Sequence, residues 1–467
     1  MRFRDAVRVL FVGIVVASAF VVASGYLSAE ASSSSAAGRP TFDAAPRDGI
    51  TVVATDSNTW MGKAGDGPRA RAELVAFAPN GSVMYYNDTH TRYWDVDPVK
   101  GEETTVEYVA ADHLNASECH ATTACTRNVV ERVNLTTGET TRIYGRITPG
   151  KHSTRWHDAD RLDEDSLVIA DIAQDRVYVV NTTSGLVEWS WDAQQNYALS
   201  SGGPYPEDWT HLNDVEVLAD GTIMASLRNQ DQVVFLDRQT GLIENRTLGG
   251  EDKHGIIYEQ HNPDYINASN GGPAVLIGDS ENNRVVEYQR KNGEWTRSWT
   301  WQDARMQWPR DADRLPNGHT LVTDSNGNRV FELNQQGEVV WSVDVAFPYE
   351  SERLNTGDES TGGPSATKAN LGSESGGGAG EGGADGQVTS DRDQPGPLER
   401  AWAVVRDLLP GRTANGLMYV TPIWMGGPEV LALAALVLTL LVWVVCEAYW
   451  SSWRASVHNP VSISRRE

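Results

Sequence analysis

Four stretches spaced about fifty residues apart open alike, with an aromatic, then a His or Arg, then acids and amides, then a β-run. They read Trp156-His157-Asp158-Ala159-Asp160, Trp209-Thr210-His211-Leu212-Asn213-Asp214, Tyr258-Glu259-Gln260-His261-Asn262-Pro263-Asp264 and Trp308-Pro309-Arg310-Asp311-Ala312-Asp313. A unit of this length cannot bury its apolar face alone, so repeats of this period stack on their neighbours. In each repeat a second strand runs into a polar turn and a Val-rich third strand, over 171–177, 227–233, 279–285 and 324–330. A fourth strand carrying Trp189 and Trp191, Trp299 and Trp301, or Trp341 closes the repeat. Four short strands per repeat make one blade of a β-propeller. Four blades are clear, from about 153 to 346. Ahead of them, 73–81 matches a first strand and turn, and 128–147 matches strands three and four. The irregular stretch between is either an insertion in one blade or part of two degenerate blades. The expectation is an all-β chain with a six-bladed propeller, five blades being the alternative. Equivalent blade positions converge on the central channel, so the repeated His and Arg become a ring.

Two uncharged apolar runs bracket the repeats, residues 9–29 and 430–446. Each is near the roughly 20 residues that cross a bilayer as a helix. Arg2, Arg4 and Arg8 precede the first, and Arg454, Arg465 and Arg466 follow the second. The positive-inside rule then puts both termini in the cytoplasm and the propeller outside the cell membrane. A signal peptide cut near Ala23-Ser24-Gly25 is the alternative for the first run, which is longer than the usual ~7–15 residues of such a core. The expected organisation is an anchor at 1–30, the propeller at 49–348, and an acidic Gly/Ser-rich linker at 351–397. A juxtamembrane segment on the membrane surface at 398–428, a transmembrane helix at 429–450 and a cytoplasmic tail at 451–467 complete it.

The net charge is −24, and only six of the 39 basic residues are Lys. That balance fits a protein solvated in high salt, as in halophilic archaea, and argues against nucleic acid as a partner, since a polyanion would be repelled. Asn-x-Ser/Thr sequons stand at Asn80, Asn87, Asn115, Asn134, Asn181, Asn245 and Asn267, all between the apolar runs, which suggests a glycoprotein exterior. Cys119 and Cys125 are close enough in sequence for a small disulfide, and Cys446 falls in the last apolar run. The polar turn at 324–328 resembles part of a calcium loop, but Asx turns between strands use the same residues. No metal or cofactor is assigned.

The set His157, His211, Arg228 and His261 resembles that of the arylsulfate sulfotransferases, propeller enzymes that move a sulfuryl group between phenols, over roughly 150–345. The most specific piece is Trp209-Thr210-His211-Leu212-Asn213 followed by Ser226-Leu227-Arg228-Asn229-Gln230. Ile172, Ser280 and Ser325 stand at the Arg228 position in the other blades, so the repeat itself does not require the Arg. The resemblance implies that His261 is the nucleophile, transiently sulfated, and that His157, His211 and Arg228 hold the sulfate. It also implies a phenolic sulfate donor and a phenol acceptor. The chemistry agrees. A sulfuryl group in transfer spreads charge over three oxygens, and needs a neutral in-line nucleophile and fixed donors. Arg310 adds a candidate contact, Asn213 a polar one, and Trp156 and Trp209, with Tyr258 and Trp308, a wall for a phenol ring. His254 is a rival nucleophile in a stretch that reads as loop. Two other readings are a non-catalytic cell-surface propeller that binds glycans or a protein, and a quinone-dependent oxidoreductase.

Overall fold

The computed structural model describes residues 3–33, 42–56, 72–150, 154–374 and 395–451. It divides into two compact units, residues 41–423 and the paired terminal segments 1–40 and 424–467.

Residues 41–423 form a six-bladed β-propeller of antiparallel sheets. The first blade takes Thr51–Thr55, Leu74–Phe77 and Val83–Asn87 from the start of the chain and its innermost strand, Pro348–Arg353, from beyond the last repeat. Val52 pairs with Glu352 and Val53 with Ser351, so the ends of the domain are locked in one sheet. The second blade is Arg92–Pro98, Thr105–Leu114, Cys125–Asn134 and Thr140–Pro149, and a Cys119–Cys125 disulfide lies before its third strand. The irregular N-terminal stretch is therefore two blades. It looked degenerate because only three strands of the first precede the second. Inner strands Trp156–Asp163, Leu212–Val217, His261–Ile266 and Pro309–Arg314 begin the remaining four blades.

The stretch expected as a linker from 351 onward is corrected over its first part. Residues 348–353 are fully buried, and Ser365 caps a short helix, Ala366–Ala369, whose first N–H donates to Glu287 at 2.8 Å. The acids of 348–353 misled the composition reading, because they face the channel and not solvent. Residues 375–394 of that expectation lie outside the described residues.

Blades are glued face to face by aliphatic side chains. Val168, Ala170 and Val177 of the third blade pack on Leu212, Val215 and Ala225 of the fourth, with Trp191 between them. Each Val or Leu among them, fully buried, contributes about 1.5–3 kcal/mol. Polar bonds add to this at the channel. An acid on one inner strand accepts the backbone N–H of the next: Asp95 from Ala159 (3.1 Å), Asp158 from Val215 (3.1 Å), Glu216 from Tyr265 (2.7 Å), Asp311 from Ser351 (3.0 Å) and Glu350 from Val96 (2.8 Å).

All six inner strands carry a register shift at the same place, at or just before the first channel acid of each: Asp95, Asp158, Asp214, Asp264, Asp311 and Glu350. The shifts lie between Tyr93 and Val96, Trp156 and Ala159, Leu212 and Asp214, His261 and Asp264, Pro309 and Asp311, and opposite Ala54/Thr55 for Pro348 and Glu350. A bulge re-aims its side chain, so the channel is built in tiers. Three residues before the acid stand Arg92, Arg155, His211, His261, Trp308 and Phe347; one residue before it stand Trp94, His157, Asn213, Pro263, Arg310 and Tyr349. Deeper lie the acids themselves and, two residues on, a second set that includes Asp97, Asp160, Glu216, Asp313 and Glu352.

Residues 397–420 differ from the expected surface segment. Helices Pro397–Leu408 and Gly411–Val420 pack on the fifth and sixth blades through Trp402, which donates to Gln307 at 3.0 Å, Arg406, bonded to the Met306 carbonyl, and Asn415, which donates to Glu281 at 2.9 Å. Val404, Leu408, Leu417 and Val420 remain exposed on the outside. The pair thus has two apolar faces, and composition alone revealed only that it was apolar.

In the terminal unit, helices Phe3–Ser33 and Gly427–Trp450 are each long and apolar enough to cross a membrane. They run antiparallel: Arg8 bonds Glu447 at 2.6 Å, Phe11 meets Trp443, and Tyr26 meets Trp424. Cys446 is a free thiol on the second of them.

Candidate active site at the mouth of the propeller

The two upper tiers bring the expected polar residues together. His157 and His211 have ring centroids 5.2 Å apart, and Tyr349 lies 5.5 Å from His157 and 6.0 Å from His261. The Arg310 guanidinium sits 4.6 Å over Tyr349 and 4.4 Å over Trp308. Arg228 heads the turn after the second strand of the fourth blade and is one of the charges felt by both His211 and His261. Several inner strands are reached through a residue in the left-handed region: His211 (φ 46°), Glu259 (φ 45°), Trp308 (φ 60°) and Phe347 (φ 52°). That conformation is costly for bulky side chains and clusters at functional sites.

The hydrogen bonds define the state of each imidazole. Ser280 Oγ lies 2.9 Å from His261 Nδ1 and 2.7 Å from the Pro309 carbonyl. Its single proton goes to that carbonyl, so Oγ accepts from Nδ1–H and the His261 Nε2 lone pair is left free. Burial, then the charges of Arg310, Arg228 and His211, lowers the His261 pKa well below the usual imidazole range. His157, next to the Tyr349 hydroxyl at 3.1 Å, is lowered in the same way by burial, then His211 and the arginines. Its Nε2 is buried without a partner. His211 is lowered chiefly by burial, but Asp208, 2.7 Å from its Nδ1, opposes the shift and fixes that nitrogen as the donor.

Arg228 is not free. It bonds Glu259 and Asn229, and Arg412 from the second packed helix bonds the other Glu259 oxygen. Asn213 spends its amide N–H on the Gln260 carbonyl at 3.0 Å, which fixes the residue beside His261. A cavity of about 510 Å³ opens against Asp208, Arg228, Glu259, Trp308, Arg412 and Tyr419. It adjoins the histidines without being lined by them.

Three of the four expected wall residues lie elsewhere. Trp156 stacks on Tyr144 with centroids 5.5 Å apart, and Trp209 donates to the Ser201 carbonyl at 2.7 Å; both are fully buried in the cores between blades. Tyr258 stacks on His254, which is paired with Asp231 and lies outside the ring. The aromatic wall is instead Trp94, 4.7 Å from His157, with Trp308, Phe347, Tyr349 and Tyr419. The sequence reading also missed Arg92 and Arg155. With Arg310 they make a basic cluster, in which Asp56 bonds Arg92 at 2.9 Å and Arg310 at 3.3 Å. The overlooked signal was the Asp95-Val96-Asp97 and Glu350-Ser351-Glu352 pairs, which mark the same slots one and three residues upstream.

Among solved structures the chain is similar to a protein of unknown function from Bacteroides caccae (8% identity, 66% of this chain and 100% of that one, TM-score 0.42). It is also similar to the periplasmic gluconolactonase of Pseudomonas aeruginosa (14%, 68% and 100%, 0.39) and to virginiamycin B lyase of Staphylococcus aureus (8%, 69% and 92%, 0.37). No curated protein matches it. The sequence model of the family described as Arylsulfotransferase (ASST) matches residues 147–346, the part of the chain that carries His157, His211, Arg228, His261 and Arg310.

Proposed function

We propose that this protein transfers a sulfuryl group from a phenolic sulfate ester to an acceptor phenol through a sulfohistidine at His261. The observation that carries the reading is the buried His261 in a ring with His157, His211, Arg228 and Arg310, its Nδ1 2.9 Å from Ser280 Oγ, an arrangement that favours a neutral imidazole with Nε2 as the nucleophile. In the first half-reaction Nε2 attacks sulfur, the N–S bond forms, and the S–O(aryl) bond breaks. The phenolate departs toward the cavity, where solvent protonates it, while His211 stays neutral with its Nδ1–H on Asp208. In the second half-reaction neutral His211 takes the proton of the acceptor phenol, its oxygen attacks sulfur, and the N–S bond breaks. His157, Arg228 and Arg310 stabilise the charge on the three sulfuryl oxygens. Trp308 and Tyr419, on the cavity, are the surfaces for the aryl rings.

The test is rapid quenching with a phenolic sulfate in high salt, then peptide mass analysis. The expected adduct of one SO₃ falls on the peptide containing His261. His261→Ala abolishes donor cleavage and transfer together, and Arg228→Ala slows sulfuryl transfer by roughly 10²–10³-fold. An adduct on His157 would move the nucleophile, and full activity without any adduct would mean direct transfer between substrates.

The same proposal places the propeller outside the cell with both termini in the cytoplasm. The antiparallel terminal helices, which put Arg8 and Glu447 at one end, support that topology, as do the flanking arginines and the disulfide. The outer apolar face of Val404, Leu408, Leu417 and Val420 is assigned to the lipid surface. The sequons stand as candidate glycosylation sites, but Asn80, Asn87, Asn115 and Asn134 also accept the N–H two residues on. Their Asn-x-Ser/Thr pattern therefore has a turn-forming cause of its own.

A further inference from the structure

Below the histidines the channel is lined by carboxylates. Two groups of three each bring one oxygen per residue within 4.8 Å of one another: Asp264, Asp311 and Asp313, and Asp95, Asp97 and Glu350. Each group bridges two neighbouring inner strands. The charges around them are mostly further acids, since Asp264 faces Asp311 and Asp358, and Asp313 faces Asp311, Glu352 and Asp264. The nearest guanidiniums are already engaged, Arg314 with Glu287 and Arg353 with Glu332.

Two unpartnered atoms point to what completes the arrangement. Asp313 is 2% exposed, and its Oδ2 meets no donor, its side-chain neighbour being the Asp311 carboxyl. Asn262 is 4% exposed and donates its amide to Glu350 at 2.7 Å, while its carbonyl oxygen, a neutral hard ligand, has no partner either. Buried oxygens left in this state are costly unless a proton or a cation meets them, and only a cation can serve several at once. The donors are all oxygen, which disfavours zinc and fits calcium, whose six to eight ligands sit at about 2.3–2.6 Å. Oxygens of one such shell are spaced at the separations found here.

We propose that the channel binds calcium-class divalent cations at these carboxylate groups, Asp264, Asp311 and Asp313 forming the better-defined site, and that the ions tie adjacent inner strands together behind the active site. The site is chemically separate from sulfuryl transfer and stands whether or not that reading does. It was hidden in the sequence because its ligands come from strands some fifty residues apart and repeat in every blade.

The experiment uses the full chain in detergent, stripped with EDTA and returned to fixed, high sodium chloride. Equilibrium dialysis with calcium chloride is expected to give about one to two calcium ions per chain. Saturating calcium is expected to raise the melting temperature by roughly 3–6 °C over the stripped protein. Asp313→Asn weakens binding roughly tenfold or more, whereas Asp163→Asn, on the exposed end of an inner strand, leaves it unchanged. If Asp313→Asn does not fold, the wild-type isotherm decides. No stoichiometric calcium with an unaltered melt would overturn the proposal, as would a folded Asp313→Asn that binds like the parent.

Discussion

At the scale of single residues, Ser280 is the group on which the His261 assignment turns. It stands in its blade where Arg228 stands in the one before. Arg228 bonds Glu259, just ahead of the next blade's inner strand, and Ser280 meets His261 on the inner strand of its own blade. Ser280→Ala removes the acceptor of Nδ1–H, so the ring loses its fixed tautomer and orientation. Formation of the sulfated enzyme is expected to slow roughly 10–100-fold, while KM for the aryl sulfate stays near its original value. A merely structural role would move the melting temperature and not that split, so single-turnover rates and melts are measured together. The three histidines were legible because they recur, but the aromatics misled. Trp156, Trp209, Tyr258 and Trp308 look alike, yet stand two, five, six and three residues before the channel acid. Only the last of them falls in a slot that faces the mouth. Alignment on the conspicuous tryptophans, and not on the acids, also hid Arg92, Arg155, Trp94 and Tyr349.

At the scale of strands and blades, the repeat predicted the four regular blades well because each has its four strands in order. It failed where a blade is assembled from both ends of the domain, since no local pattern announces that 348–353 pairs with 51–55. The bulge explains why His211 and His157 were hard to align: the two occupy different tiers, two positions apart, three residues and one residue before the channel acid. The second blade carries a measurable electrostatic device of its own. His90 bonds Asp112 and Glu131, each at 3.1 Å. Burial opposes its charge, but the two carboxylates win and hold its pKa at about 9. Glu131, with burial opposing and His90 leading the bonds that favour its charge, is held at about 2. A folded-state pKa above the unfolded value stabilises fully below about 6.5 and is lost as pH rises through 9. The carboxylate contribution is present above its unfolded value and fades as pH falls toward 2. His90→Gln is therefore expected to cost about 3 kcal/mol at pH 6, with the deficit shrinking as pH rises through 9. Urea melts of both proteins at pH 6 and 9.5 check this, and an equal deficit at both values would mean that packing, not charge, sets the loss.

For the whole molecule, the decisive bond is the one that closes the ring. The innermost strand of the first blade supplies Tyr349 to the mouth, Glu350 and Glu352 to the channel, and the ladder to 51–55 that joins the domain's two ends. Residues 354–374 continue that closure, since Ser360 bonds Asp264 and Glu359 N–H donates to Glu352 at 2.8 Å. Losing Ser351, Glu352 and Arg353 removes their ladder to Thr51, Val52 and Val53, and losing 354–374 with them leaves Glu332, Asp264 and Glu287 short of buried partners. At about 1–3 kcal/mol for each buried polar group left unsatisfied, the sum is comparable with the ~5–15 kcal/mol that holds a domain folded. Deleting 351–374 is thus expected to abolish a cooperative melt, followed by tryptophan fluorescence in constant salt. Deleting 375–394, where Gly, Ser, Asp and Glu dominate, is expected to leave the melting temperature within roughly 2 °C, because such a stretch has little apolar surface to bury. If both deletions melt like the parent, ring closure does not depend on the C-terminal strand. If both destabilise alike, the acidic stretch is part of the packed domain.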